Sequence, residues 1–320
     1  MVDFLNKIIL IDCLEGIKQM PDSSVDCCIS SPPYWGLRDY GVDGQIGLEE
    51  NYSEFIAKLI ELYSEIQRVL KPTGTCFVNL GDTYAGSGSG TTKNADTSKY
   101  VENSKQVYVL PNGTAKASKF RGTNLNKSLL MIPERFAIGM IDAGWILRNQ
   151  IIWHKPNQMP SSATDRFTVD FEKIFFFVKR SRGYYFEQQL EPYTKPLDRW
   201  GGDDLEANGN STWDNGTGQT TYRNRNMRPN PDGKNMRTVW SISTEPFPEA
   251  HFATYPEKLV KRMIEAGCPK NGLVLDPFMG AGTTALVARK LNRNYVGFEL
   301  NEEYLKIANN RLYAELGMWL

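Results

Sequence analysis

The chain has little with which to hold a metal or build a disulfide framework. Its 320 residues include two histidines, His154 and His251, and five cysteines, Cys13, Cys27, Cys28, Cys76 and Cys268, with no C-x-x-C pair among them. That set does not match zinc-ligand spacing, so no metal site is expected and the thiols read as reduced core residues. Nor is there an apolar run of the roughly 18 to 20 residues that a membrane span needs. The N-terminal MVDFLNKIILID lacks the basic flank and small-residue cleavage site of a signal peptide. A cytoplasmic protein is expected. Net charge is also missing: 37 Lys and Arg balance 37 Asp and Glu, which by itself offers no pull on a polyanion.

The balance hides segregation. Residues 85 to 128 carry seven Lys/Arg against two acids, and Thr220 to Arg237 carries Arg223, Arg225, Arg228, Lys234 and Arg237 against Asp232. Between them lies an acidic patch at Asp198, Asp203, Asp204 and Glu206. Such stretches are either solvated loops or nucleic-acid contacts. Elsewhere short continuous apolar runs, at Ile8 to Ile11, Val25 to Ile29, Cys76 to Leu80, Trp145 to Trp153, Ile174 to Val178, Leu273 to Leu275 and Tyr295 to Phe298, read as strands covered on both faces. Helical spacing separates them. Tyr52 to Leu70 sets Phe55, Leu59, Leu62, Ile66 and Val69 on one stripe and stops at Lys71-Pro72-Thr73-Gly74. Leu129 to Ile141, Pro256 to Ala266, Thr283 to Leu291 and Glu302 to Leu316 behave alike. The alternation predicts an α/β fold, a doubly wound and mostly parallel sheet. Two regions break it: a long basic loop over 84–128, and an irregular insert over 187–243 that interleaves Trp200, Trp213, Tyr222 and Trp240 with glycine and arginine. The expected division is therefore 1–186 plus 244–320 as one unit, with 187–243 inserted.

Leu273-Val274-Leu275 runs into Asp276-Pro277-Phe278-Met279-Gly280-Ala281-Gly282-Thr283-Thr284, a strand, a tight turn and a helix start. Glycines there let the backbone approach a ligand with no Cβ between. The next strand closes on Glu299, an acid that can accept both ribose hydroxyls of an adenosine. The same string satisfies the dinucleotide fingerprint, with an acid about 20 residues on, so the turn alone admits NAD as well as S-adenosylmethionine. The sign of Asp276 favours the second, because a carboxylate attracts a methionine ammonium and repels a pyrophosphate. Only 21 residues follow Glu299, and no hydride-transfer constellation lies upstream.

Val25 to Ile29 is followed by Ser30-Ser31-Pro32-Pro33-Tyr34, at the carboxyl end of a strand, where open α/β sheets bind ligands. Pro32 and Pro33 fix φ and cannot donate, which leaves carbonyls to face an external amine. The amine of cytosine or adenine is a poor nucleophile because its lone pair is delocalised into the ring. Ser31 and the Pro32 carbonyl can take its protons while Tyr34 stacks on the base. No Pro-Cys thiol nucleophile, as carbon-5 methylation requires, occurs in the chain.

With these motifs in this order, the chain resembles the β-class DNA amino-methyltransferases, whose catalytic motif precedes the cofactor motif in a permuted Rossmann-like fold. Ile11-Asp12-Cys13-Leu14 is similar to the family's opening strand end, which puts Asp12 near the cofactor adenine. Trp153-His154-Lys155-Pro156-Asn157 and Phe171-Glu172-Lys173-Ile174 resemble its later strands. His251-Phe252-Ala253-Thr254-Tyr255-Pro256 is similar to the segment that wraps the methionine end of the cofactor. The resemblance implies catalytic Ser31, Pro32, Pro33 and Tyr34, and a cofactor set of Asp12, Phe252, Thr254, Asp276, Phe278, Gly280, Gly282, Thr283 and Glu299. It also implies S-adenosyl-L-methionine as cofactor and double-stranded DNA as partner. Members with Ser before the proline pair mostly methylate N4 of cytosine, and those with Asp or Asn mostly N6 of adenine, so Ser31 points to cytosine. The insert occupies the place of a target-recognition region, with Arg223, Arg225, Arg228, Lys234 and Arg237 on phosphates and guanines. Oligomeric state is left open, a homodimer being allowed, as is a cognate restriction endonuclease in the same system.

Overall fold

The computed structural model describes residues 4–37, 39–85, 125–193, 230, 232–245 and 255–317. They belong to two compact units, Met1–Glu187 with Thr238–Leu320, and Gln188–Arg237. In chain order the elements are β1 (Lys7–Leu10), α1 (Cys13–Lys18), β2 (Val25–Ser30), α2 (Tyr52–Val69), β3 (Leu70–Leu80), α3 (Ile132–Asp142), β4 (Ile146–His154), β5 (Phe171–Val178), β6 (Leu190–Glu191), β7 (Lys234–Asn235), β8 (Val239–Ser241), α4 (Glu257–Gly267), β9 (Leu273–Asp276), α5 (Thr283–Lys290), β10 (Asn294–Glu299) and α6 (Glu302–Leu316).

The larger unit is built on an eight-stranded sheet in the order β1-β10-β9-β2-β3-β5-β4-β8. Every neighbouring pair is parallel except those of β5, which runs against both β3 and β4. The pleat sends successive side chains to opposite faces. Cys28, Cys76 and Val78 join the core under α1, α2 and α3, while Cys27, Thr75 and Phe77 crowd Gly267 of α4 on the other face. All six residues of β2 are buried, and its one charge, Asp26, is paired with Lys71 at 2.8 Å, so the strand is covered on both faces. At Gly267 an added Cβ would stand 2.5 Å from Thr75 Oγ1, so α4 rests on the sheet only because that side chain is absent. No helix among the described residues is long and apolar enough to cross a membrane.

Two local boundaries differ from the sequence reading. The Pro72–Gly74 signal does end α2, but as part of a strand: β3 starts at Leu70 opposite Val25, and the register shifts before Thr75 pairs with Cys27. Residues 71–74 lie in that irregularity, where proline removes no ladder bond that is needed. Helix α3 begins at Ile132 rather than at Leu129, because Leu129 bridges to Tyr84. The Asp82 carboxylate then accepts the Ile132 N–H at 3.0 Å and caps the helix from a distance.

In the smaller unit β6 and β7 pair antiparallel. The Glu191 carboxylate holds Lys234 at 3.4 Å and Arg237 at 2.6 Å. Residues 238–243, grouped with the insert by composition, fall in the larger unit, because β8 adds to the sheet edge beside β4.

Candidate active site

The sheet reverses direction of winding between β2 and β9. From β2 the chain order runs outward to β3, and from β9 it runs outward to β10. The two strands pair directly, Cys27 with Val274 and Cys28 with Leu275, so the turns after them emerge side by side. Open α/β sheets bind ligands in the crevice at such a switch point. Here it is a cavity of about 880 Å³ whose wall includes Ser31 to Tyr34 from one turn and Pro277 to Ala281 from the other.

On the Ser31 side, two neighbouring hydroxyls have different surroundings. Ser30 Oγ is buried against the Tyr63 hydroxyl at 2.5 Å, whereas Ser31 lines the cavity. Among the described residues no hydrogen bond ends on the Pro32 carbonyl. Tyr34 is fixed by its far end: its hydroxyl donates to Glu172 Oε2 at 2.7 Å, and Lys155 pairs with the other oxygen of that carboxylate. The Lys155 ammonium also lies 4.3 Å from the Trp153 ring centroid. Burial, and then the Glu172 charge, push the Tyr34 phenol well above its ordinary range, so it stays a neutral donor. At Gly81 a Cβ would stand 2.4 Å from the Tyr34 ring, so only glycine lets the ring lie against the end of β3. Cys13, in the same wall, is pushed up to about 12 by burial and is a neutral thiol.

On the glycine side, Gly280 has φ +54°, and an added Cβ would find its nearest neighbour, Phe278 O, at 3.9 Å, so its open face belongs to the cavity. Its N–H donates to Glu299 Oε2 at 2.8 Å, and Asn301 N–H donates to Oε1 at 2.8 Å. Burial raises the Glu299 pKa. One strand over, Asp12 caps α1, its Oδ1 accepting Leu14 N–H at 2.9 Å and Glu15 N–H at 3.1 Å. Because Leu10 pairs with Glu299, these two acids stand at the ends of adjacent parallel strands. Thr283 also lines the cavity, with its hydroxyl taken by Arg311 at 2.8 Å.

Two expected cofactor residues do different work. Asp276 is fully buried and does not reach the cavity: Oδ1 accepts Phe278 N–H at 3.0 Å, while Oδ2 accepts Thr284 at 2.5 Å and Tyr255 at 2.7 Å. It shapes the turn from behind, and burial raises its pKa. Gly282, at φ +78°, also stays out of the wall; a Cβ there would meet Ala308 Cβ at 2.9 Å, so it serves the close approach of α6. Phe252, Thr254, Arg223, Arg225 and Arg228 lie outside the described residues. Lys234 and Arg237 are engaged by Glu191. The sequence alone does not place Asn79, Trp153, Lys155 or Glu172 in the site, yet all four line the cavity, as does Tyr255 from the segment similar to the one that wraps the methionine end of the cofactor.

The charge in the wall is one-sided. Among the described residues of the wall, Asp12, Glu172, Glu245 and Glu299 face a single cation, Lys155, which is already paired with Glu172. A pyrophosphate would meet repulsion beside the glycine turn, whereas a sulfonium with an ammonium would be attracted. The residues present therefore fit S-adenosylmethionine and do not fit NAD.

Comparison with known proteins agrees with this geometry. The N6/N4 methyltransferase family model, described as DNA methylase, matches residues 25–310. The type II methyltransferase M.SmaI of Serratia marcescens is 37% identical over 307 residues, covering 96% of this chain and 90% of that protein. M.Cfr9I of Citrobacter freundii is 38% identical over 304 residues, covering 95% and 86%. Among solved structures, the PvuII DNA methyltransferase, cytosine-N4-specific, superimposes with a TM-score of 0.59 at 19% identity, over 95% of this chain and 85% of that one. The M1.HpyAVI–SAM complex gives 0.53 at 19% identity, over 96% and 98%. These last two share the fold. With a family match over most of its length and relatives of this identity, the chain belongs to the N6/N4 family of DNA methylases.

Proposed function

We propose that the chain moves a methyl group from S-adenosylmethionine to N4 of a cytosine extruded from duplex DNA. The observation that carries this reading is the shared cavity, in which an acid-lined glycine turn and the Ser31–Tyr34 turn meet at the ends of paired strands. When bound, S-adenosylmethionine supplies an activated methyl group: its carbon–sulfur bond breaks, with the electron pair left on sulfur, as a carbon–nitrogen bond forms. Glu299 receives ribose hydroxyls on the lone pairs that Gly280 and Asn301 leave over. Asp12, with Oδ1 engaged at the α1 cap, offers Oδ2 to the adenosine end.

The remaining steps are orientation. Ser31 Oγ and the Pro32 carbonyl accept the two protons of the exocyclic amine, which turns its lone pair toward the donor. Tyr34, anchored through Glu172 and Lys155, presents a fixed ring for the base to stack on. Orientation of this kind contributes up to roughly 7–11 kcal/mol, and the acceptors strengthen as positive charge develops on nitrogen. After transfer the nitrogen sheds one of those protons to solvent. Cytosine over adenine is supported by Ser31 before the proline pair and by the cytosine-N4 specificity of the PvuII enzyme. Recognition of the DNA word is assigned to the smaller unit, Gln188–Arg237, on its composition of aromatics and arginines.

Incubation with tritiated cofactor and varied DNA, followed by mass spectrometry of the nucleosides, tests this. N4-methylcytosine is expected. N6-methyladenine would move the assignment to the other amine, and label on carbon 5, or none on any DNA while the cofactor binds, would overturn it.

A further inference from the structure

The connection between β4 and β5, residues 155–170, stands on the rim of the cavity. Strand β5 runs against both β3 and β4, so β4 points the same way as β2 and β3, and its carboxyl end opens on the edge that carries the Ser31 turn. Both ends of the connection enter the wall, Lys155, Asn157 and Gln158 on one side and Glu172 just past the other. It contains no regular structure, and connections this long in compact units are usually functional.

This loop is nevertheless held. Lys155 N–H donates to Asp170 O at 2.7 Å, and Asn157 exchanges two hydrogen bonds with the Thr244 backbone at 2.9 and 3.0 Å. Ser161 N–H donates to Thr168 Oγ1 at 3.3 Å, and the Arg166 guanidinium sits 3.8 Å from the Tyr84 ring centroid. On this fixed segment Phe167 is 96% exposed, more than any other large apolar residue described, and Met159 is 80% exposed. None of the contacts that hold the loop requires an aromatic ring in water.

We propose that Phe167 is a wedge that enters the base stack of duplex DNA as the target nucleotide leaves it. The inference rests on the DNA-methylating function above. A base reaches the cavity behind Ser31 and Tyr34 only by swinging out of the duplex, so the duplex must lie across the rim on which this loop stands. The vacated gap exposes two base faces, and an apolar ring inserted there restores part of the lost stacking. Arg166, the residue before it, brings a cation to the same loop, the charge that a phosphate of the bound duplex would meet.

The test is single-turnover methyl transfer by the full-length chain and by Phe167→Ala, on a duplex carrying the word mapped with the wild-type enzyme. The same duplex with an abasic site opposite the target serves as the second substrate. Phe167→Ala is expected to slow transfer to the matched duplex about ten-fold or more, a barrier increase of about 1.4 kcal/mol. It should keep the wild-type rate where the target is already unpaired, and Phe167→Leu should recover most of the loss. Calorimetry should give both proteins the same affinity for S-adenosylmethionine. Wild-type transfer with an equal Phe167→Ala rate on the matched duplex, or an equal loss on both substrates, overturns the wedge alone. A Phe167→Ala change in sedimentation with unaltered transfer would give the ring to a self-contact and overturn it too. Failure of the wild-type chain to methylate any DNA would instead bring down the underlying function and the wedge with it.

Discussion

The two glycines of the cofactor turn should respond to the same substitution in opposite ways. At Gly282, alanine must adopt φ +78° and place its Cβ 2.9 Å from Ala308 Cβ and 3.2 Å from Ala308 Cα. The left-handed conformation costs about 1–2 kcal/mol for a residue with a Cβ, and overpacking about 1–3 kcal/mol more. Gly282→Ala should therefore lose about 2–5 kcal/mol of a total stability on the order of 5–15 kcal/mol. Gly280→Ala has the conformational cost alone, because its nearest foreign atom is at 3.9 Å, so it should lose only about 1–2 kcal/mol. Its new methyl, however, enters the cavity. Cofactor affinity should fall at least about ten-fold, or 1.4 kcal/mol, whereas Gly282→Ala should keep near-native affinity once folded. Urea unfolding and calorimetric titration with S-adenosylmethionine measure the two quantities separately. Adding Ala308→Gly to Gly282→Ala removes the nearest clashing atom, and the pair should couple favourably by about 1 kcal/mol despite the cost of a helical glycine. Equal stability losses at the two positions, or an affinity loss confined to Gly282→Ala, would refute the division of roles.

Tyr34→Phe deletes one charge-assisted hydrogen bond, to Glu172, and should lower kcat about 5- to 10-fold with cofactor affinity unchanged; Tyr34→Ala, which removes the ring as well, should lose far more in kcat, as rapid-quench assays will show. Burial raises the Glu299 pKa, and a cationic cofactor favours its ionised form, so affinity should climb as pH rises through the Glu299 titration. Glu299→Gln should flatten that profile in calorimetry. Asp276 is also raised from its ordinary 3.8 by burial, so the native state binds its proton more tightly than the unfolded chain does. The stability it contributes is complete below 3.8 and is lost as pH rises through the folded value. Subtracting the pH-stability curve of Asp276→Asn from that of the wild type, both by urea unfolding, should isolate this downward slope; an upward difference would show that the hydrogen bonds from Tyr255 and Thr284 outweigh burial.

The parts of the site that the sequence made legible are those set by a single turn. Ser31 and Gly280 each follow a short apolar run, and a strand covered on both faces leaves no other pattern, so the position of each turn at a strand end could be read directly. Their meeting could not, because it depends on β2 pairing with β9 across most of the chain length. The direction of Asp276 has a simpler cause. Proximity in sequence to the glycines suggested a ligand contact, but the pleat decides: Leu275 joins the core under α1 to α3, so the next side chain turns to the opposite face, where Thr284 of α5 lies.

The support for Tyr34 was hidden by distribution rather than by weak signal. Lys155 and Glu172 are each a charged residue at the end of an apolar strand, in Trp153-His154-Lys155 and Phe171-Glu172-Lys173, and a charge there marks the rim of a sheet. What one chain segment cannot express is that β5 turns back against both β3 and β4. That reversal brings the start of one strand beside the end of the other, so a lysine and a glutamate 17 residues apart form one pair. The pair then fixes a tyrosine that lies 138 residues from the glutamate. A free acid beside the base would compete for the amine protons that Ser31 and Pro32 must hold. Engaged on one oxygen by Lys155 and on the other by Tyr34, Glu172 has its strongest acceptor sites already filled, so the antiparallel strand positions the stacking ring and removes a rival acceptor at once.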